Sequence, residues 1–170
     1  MAGRRVVITG MGAVTPLGNS TRDTWNALCQ GRSGIRRISL FEAESYPTQI
    51  AGEVKGLDPL NLKKYFPDVS ILGRNSLFAV AASSEAVLDA GIHRDCVNAD
   101  RFGIYFGAGD GGFNFKEYAS ILVDSIENGN GTIDTEKYLS NARLRTKPEL
   151  LLEQEPYQVI NHLSDVFGAR

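Results

Sequence analysis

The sequence has few cysteines, no long apolar run and no excess of charge of either sign. Only Cys29 and Cys96 occur among its 170 residues, and they lie too far apart for the spacing of a metal site. The simplest interpretation is a reduced, cytoplasmic chain. No apolar run approaches the ~20 residues of a membrane span, and no signal-peptide core follows Met1. These absences predict no metal site and no membrane partner.

The charge balance excludes a second group of partners. With 18 basic and 20 acidic residues the net charge is −2, so the chain has no basic field to attract nucleic acid. Hydrophobic residues make up 42% of the composition, which suffices for one compact core. We therefore predict a single structural unit over residues 1–170 without a nucleic-acid partner.

The stretch RRVVITGMGAVTPLG, residues 4–18, contains a buried-strand signal followed by glycines. Three consecutive β-branched residues, Val6 to Ile8, favour a strand buried on both faces. Gly10 and Gly12 satisfy two positions of a dinucleotide fingerprint, but Thr15 stands where the third glycine is needed. We interpret the stretch as a shaped turn and predict no cofactor, with a nucleotide-binding or small-molecule-binding module kept as an alternative class.

Helical spacing and stop signals predict four helices: one that begins near Thr21 and stops at Gly31, and then Ser76–Ala90, Phe115–Glu127 and Pro156–Gly168. Cys29 falls on the apolar face of the first helix, so we expect it to fill the core rather than act as a nucleophile. His93 follows a helix stop and is expected at the surface, Cys96 is interpreted as a bystander, and His162 is interpreted as structural.

A second strand signal, at Ile104–Phe106, continues directly into a Gly-rich segment ending at Phe113. Four glycines in residues 107–112 allow the backbone to pass close to another group.

Together these motifs resemble the β-ketoacyl-acyl-carrier-protein synthases, and most closely the elongating type II enzymes. The resemblance begins with the thirteen-residue opening Val6–Gly18 and continues in the same order through Trp25–Leu28, Gly31–Ile35 and Ala51–Val54. It extends along nearly the whole chain, and its specificity comes from the combined pattern rather than from any one piece.

The resemblance implies an α/β, thiolase-like fold of αβαβα layers, of which this chain would cover most of the first half. Arg5–Thr9 and Phe102–Phe106 would lie in one mixed sheet, and residues 128–156 would be a loop or insertion. The implied partners are an acyl carrier protein, a second subunit in a homodimer or ketosynthase-like heterodimer, and the remaining C-terminal part of the same protein. Scattered basic residues could guide an acidic carrier, although for any one of them a solvated surface is the favoured interpretation: Arg36, Arg37, Lys55, Lys63 and Lys64.

The implied activity is chain elongation by decarboxylative Claisen condensation with malonyl-carrier protein, in fatty-acid or polyketide synthesis. Gly109, Asp110, Gly111 and Phe113 would line the acyl tunnel. Asp110 replaces the family's usual apolar residue, which indicates either a shorter, more polar or differently gated acyl substrate or an aspartate that bonds its own turn. The catalytic cysteine and two histidines are expected beyond Arg170, so the segment alone should be inactive. A non-catalytic chain-length factor is the alternative.

Overall fold

The computed structural model describes residues 3, 5–93, 95, 97–109, 114–127 and 131–169. Six α-helices follow one another in this part of the chain: α1 Thr21–Cys29, α2 Arg74–Asp89, α3 Phe115–Asp124, α4 Thr135–Arg145, α5 Pro148–Leu152 and α6 Gln158–Phe167. Two short strands, β1 Ile35–Arg37 and β2 Ile50–Gly52, pair antiparallel, with Ile35 opposite Gly52. Single 3₁₀ turns occupy Pro59–Leu62, Val69–Ile71 and Ala99–Arg101.

Local capping explains where several helices begin and end. Ser20 accepts a hydrogen bond from the Asp23 N–H at the start of α1, and Asp134 does the same for Lys137 at the start of α4. Gly91 follows α2 with φ +65°, and Gly168 ends α6 with φ +74°, a region that favours glycine. These signals lie in neighbouring residues, and the predicted helices that correspond to α1, α2, α3 and α6 are confirmed to within a few residues, whereas α4 was not predicted.

The core lies where α2 crosses α6. Its buried members come from both helices and from the first 3₁₀ turn: Leu62, Ala79, Val80, Val159 and Leu163. Val80 is fully buried at the centre of α2, and Leu163 faces it from α6 with 2% of its surface exposed. Burying a side chain of this size contributes about 1.5–3 kcal/mol.

The two predicted core strands are wrong for the described residues. Neither Arg5–Thr9 nor Phe102–Phe106 forms a strand ladder there, and Val6 and Ile8 are 93% and 82% exposed. A strand buried on both faces needs partner strands beside it and other elements above and below it. The described part of the chain places no partner strand along these segments, so no ladder forms; residues 6–8 are exposed, whereas Ile104 packs against the edge of the core.

Three smaller predictions also need correction. Cys29 is exposed, as is Trp25 at 64%, and the buried residue of α1 is Ala27 instead. The composition of Ile38–Phe41 predicts a short extended stretch there, but the strand lies at Ile35–Arg37, where it pairs with β2. Residues 128–156 were expected to form a loop, but α4 and α5 occupy most of the described part, since Asp134 and Pro148 each start a helix. Whether this segment is an insertion stays a prediction.

Candidate functional site

The loop after residue 9 packs directly against the backbone of α2. A Cβ on Gly10 would lie 2.3 Å from the Ala86 carbonyl oxygen, and one on Gly12 would lie 1.8 Å from that of Ala82. Only glycine, which has no Cβ, permits this approach. The small alanine side chains of α2 leave room for the loop on the surface of the helix. The two glycines are therefore a packing device between loop and helix.

Two carboxylates of α2 hold the same loop. Asp89 accepts a hydrogen bond from the Met11 N–H at 2.9 Å, and Glu85 accepts one from the Ala13 N–H at 2.9 Å. Glu85 also accepts from the N–H of Thr21, the first residue of α1, at 2.8 Å. In a dinucleotide site the helix N-terminus binds a phosphate. Here a protein carboxylate takes that position, so the geometry argues against a nucleotide at this loop.

A cavity of about 310 Å³ lies between α2 and the Gly-rich segment that ends the described stretch 97–109. Its lining is mainly apolar and comes from three separate parts of the chain: Val14, Asn75, Phe78, Ala79, Ala82, Phe106, Gly107, Ala108 and Gly109. At Gly107 and Gly109 nothing lies within 4 Å of a Cβ position, so the backbone leaves open space there. This volume is at the lower end of small-molecule sites.

The structure places one of the four predicted site residues in this cavity. Gly109 is part of its lining, whereas Asp110, Gly111 and Phe113 lie outside the described residues. Sequence reasoning missed Val14 and the contribution of α2. The signal was present, because Asn75, Phe78 and Ala82 follow helical spacing and share one face of α2.

The cavity can hold an apolar group but carries no nucleophile or acid–base pair among its described lining residues. Cys29 lies on α1 and is not part of the lining, and His93 is exposed at the end of α2. No group of metal-binding side chains occurs within the described part of the chain. That no catalytic residue lies in this chain stays a prediction.

A larger cavity, of about 430 Å³, lies between α3, α4 and α5. Tyr118 and Ile121 of α3 face Tyr138 and Ala142 of α4 across it, and Leu151 of α5 closes one side. Asn114 lines this second cavity, and it lies five residues along the chain from Gly109, which lines the first. An extended chain spans at most about 3.6 Å per residue, which places the two Cα atoms within roughly 18 Å. None of the predicted site residues that the structure describes lines this second cavity.

A buried polar cluster joins α2, α5 and α6. Glu153, 6% exposed, accepts hydrogen bonds from the Gly73 N–H at 2.9 Å and the Ser76 hydroxyl at 2.8 Å, and it pairs closely with His162. Burial alone would raise the pKa of Glu153, but the bonds from His162, Gly73 and Ser76 outweigh it and lower the pKa below its ordinary value. The interpretation of His162 as structural agrees with this arrangement.

Glu53 forms a second carboxylate centre, beside β2. Its oxygens accept from the Ser39 hydroxyl at 2.7 Å, from the Ser39 N–H at 2.9 Å and from the Leu40 N–H at 3.1 Å, with Lys55 Nζ at 3.5 Å. The bonds from Ser39 are the largest cause of a pKa lowered to about 2. The Glu53 carboxylate therefore links Ser39 and Leu40, which follow β1, to the end of β2 through hydrogen bonds.

Comparison with known proteins assigns the family. Residues 3–142 match the family model described as "Beta-ketoacyl synthase, N-terminal domain". The match covers well over half of the chain, and the chain belongs to the β-ketoacyl synthase family.

Curated relatives support the type II resemblance. The 3-oxoacyl-[acyl-carrier-protein] synthase 2 of Coxiella burnetii is 43% identical over 129 residues, covering 72% of this chain and 30% of the relative. The protein of the same name from Synechocystis is 38% identical over 122 residues, covering 71% of this chain and 29% of the relative. This chain therefore spans about 30% of the length of the curated relatives it matches.

Solved structures confirm the fold class. The ishigamide ketosynthase/chain length factor matches with a TM-score of 0.73 and 27% identity, over 99% of this chain and 38% of that one. A β-ketoacyl synthase from Burkholderia phymatum matches with a TM-score of 0.69 and 25% identity, over 98% of this chain and 38% of that one. The fold is thus thiolase-like, as the resemblance implied, although the described residues leave the predicted sheet unpaired. Within the described residues no helix is both long and apolar enough to cross a membrane.

Proposed function

We propose that this chain is the N-terminal part of a β-ketoacyl-acyl-carrier-protein synthase that elongates acyl chains in fatty-acid or polyketide synthesis. Its own contribution is scaffold, acyl-tunnel wall and dimer contacts. The observation that carries the proposal is the apolar cavity at Gly107–Gly109, formed against α2 in a chain whose residues 3–142 match the family.

The chemistry of such an enzyme needs two kinds of group. A cysteine thiolate attacks the acyl thioester, and the carrier thiol leaves as the acyl-enzyme forms. Malonyl thioester then loses CO₂, and hydrogen-bond donors, two histidines in this family, stabilise the enolate oxygen. The enolate carbon attacks the acyl-enzyme, and the cysteine thiolate leaves. We assign these groups to the part of the relatives' length that this sequence does not span.

The cavity fits the tunnel role because an acyl chain needs apolar walls and no competing charge. Phe78, Ala82 and Phe106 supply such walls, and the open backbone at Gly107 and Gly109 gives room beside them. Asp110, Gly111 and Phe113 lie outside the described residues, and we assign them to the same wall on the family resemblance alone; the Asp110 carboxylate would then need solvent or hydrogen bonds to its own turn. A side chain that narrows the cavity should therefore affect acyl binding before it affects the chemistry.

The proposed partners are an acyl carrier protein and a second synthase-like subunit, either identical or related. Arg37 and Lys55 are already paired with Glu44 at 3.0 Å and Glu53 at 3.5 Å. Their charges are therefore partly neutralised for an acidic carrier. Lys63 and Lys64, which are exposed, are better placed for that role.

A second candidate is a non-catalytic chain-length factor. It is favoured by the similarity to the ishigamide protein, which is named as a ketosynthase/chain length factor. The two candidates differ at the family's nucleophile position, where the enzyme carries cysteine and the factor carries another residue.

The test is incubation of the full-length protein with acyl-carrier and malonyl-carrier protein. We expect a 3-oxoacyl product and, with the acyl donor alone, a covalent acyl adduct on a cysteine outside residues 1–170. Variants C29A and C96A should keep the adduct. Its absence, with condensation appearing only when a second ketosynthase is added, would favour the chain-length factor, and an adduct on Cys29 or Cys96 would contradict the assignment.

A further inference from the structure

The polar cluster around Glu153 has no part in the chemistry proposed above, although it is among the most buried groups of the described chain. Glu153 follows the end of α5, and its carboxylate bonds both the start of α2, 77 to 80 residues earlier, and α6, which follows it in sequence. Oε2 accepts from Gly73 and Ser76 at the start of α2, and Oε1 pairs with His162 of α6. Ser76 and His162 are themselves 1% and 8% exposed.

The start of α2 depends on this carboxylate. Gly73, the residue before the helix, has no side chain to cap the first turn, and no side-chain cap of α2 is present. The first N–H groups of a helix need acceptors, and negative charge is favoured there. Glu153 supplies both the acceptor, for the Gly73 N–H, and the negative charge, from a position 80 residues away in sequence.

The same turn forms part of the cavity wall. Asn75 lies between the two α2 contacts of Glu153, at Gly73 and Ser76, and Phe78 follows within one helical turn; both line the 310 Å³ cavity. α6 is fixed to the opposite side of α2 through the core, at Val80 and Leu163. A shift of the first turn of α2 would therefore move the cavity wall while the core contact stays in place.

His162 orients the carboxylate. Glu153 is ionised, because its pKa is lowered, and an ionised carboxylate only accepts, so the Nε2–H of His162 donates to it. The imidazole is held in turn by the ring of Phe66, whose plane stands at 89° to it with the ring centres 5.2 Å apart. Both partners are thus confined to one geometry.

We propose that Glu153 is a positioning residue that fixes the first turn of α2, and with it the wall formed by Asn75 and Phe78. The reading of that wall as an acyl site rests on the proposed function, whereas the coupling between Glu153 and α2 does not. The readouts below separate the two.

The experiment compares E153L, which removes every acceptor, with E153Q, which keeps an acceptor for Gly73 and Ser76. E149L, an exposed position of the same helix, is the control. In the full-length protein, amide hydrogen exchange at residues 73–78 should be at least tenfold faster in E153L, unchanged at residues 84–89, and restored in E153Q. The strongly hydrogen-bonded His162 N–H resonance should be present in the parent and lost in E153L.

In the condensation assay, KM for the acyl thioester should rise at least threefold in E153L while kcat changes less than twofold, with E153Q near the parent. If E153L does not fold, S76A removes one of the three contacts and should speed exchange at residues 73–78 alone. Exchange that rises equally along all of α2, or does not rise in the variant that folds, would overturn the positioning role. An inactive parent protein with localised exchange would overturn the proposed function and leave the coupling intact.

Discussion

Replacing Gly12 by alanine tests the packing of the Gly-rich loop on α2. The added Cβ would lie 1.8 Å from the Ala82 carbonyl oxygen, whereas such atoms keep at least 3.0 Å apart. The loop must therefore retreat by about 1.2 Å. The carbonyl belongs to the helix backbone and cannot give way as a flexible side chain would.

That retreat lengthens the bonds that hold the loop. The 2.9 Å contact from the Ala13 N–H to Glu85 would open towards about 4 Å, beyond hydrogen-bond range. Losing one such bond to a charged, partly buried acceptor costs about 1.5–3 kcal/mol. The exposed Met11–Asp89 bond adds roughly 0.5 kcal/mol, at the lower limit for such bonds. Overpacking adds about 1–3 kcal/mol. The total is roughly 3–6 kcal/mol.

Thermal unfolding of the intact protein measures this effect. For a folding unit of this size 1 kcal/mol corresponds to about 2–4 °C, so Tm should decrease by roughly 6–24 °C. The matched control is G103A, whose Cβ would meet nothing closer than Tyr105 at 3.9 Å and whose stability should change by about 1 kcal/mol or less. Equal Tm values for G12A and G103A would refute the close packing of loop and helix.

Three further outcomes are expected. Because the pKa of Glu53 is lowered from 4.5 to about 2, its carboxylate stabilises the fold above pH 4.5, and this contribution is lost as the pH falls from 4.5 to 2. The stability difference between the parent and E53Q, followed by urea unfolding, should shrink across that window; a constant difference would contradict the assignment. S125A should destabilise the protein by about 1–2 kcal/mol, since this fully buried hydroxyl donates to the Ile121 carbonyl at 2.7 Å, whereas the exposed control S120A should cost less than about 0.5 kcal/mol. C29S should leave urea stability within about 0.5 kcal/mol of the parent, because the side chain is exposed, and a large loss would restore its interpretation as a core residue.

The helices were predictable because their signals are local. Ser20 and Gly31 bracket α1, and Gly91 and Gly168 follow α2 and α6, each within a residue or two of the end it marks. Capping and left-handed turns depend on adjacent backbone, so the sequence alone suffices for them. α4 was missed because its apolar residues are sparse, and it is held mainly by contacts with α3.

The candidate site was only partly predictable. Glycine content indicated a close approach of backbone at residues 107–109, and the structure adds the identity of the opposing wall. That wall combines Val14 with Asn75 and Phe78, more than 60 residues further along, and no local pattern records such a meeting. The predicted strands differ from the structure for a related reason, since strand pairing depends on partners distant in sequence.

The sequence by itself determined the family, the approximate positions of four helices and the two Gly-rich segments, because each depends on residues that are neighbours along the chain. Only the tertiary structure decided what Glu85 and Glu153 do. Charged helix residues are normally solvated, yet these two accept backbone N–H groups from segments 64 and 80 residues away. A carboxylate takes that role only when folding brings unsatisfied donors to it, and such a juxtaposition is a property of the packed chain rather than of any stretch of sequence.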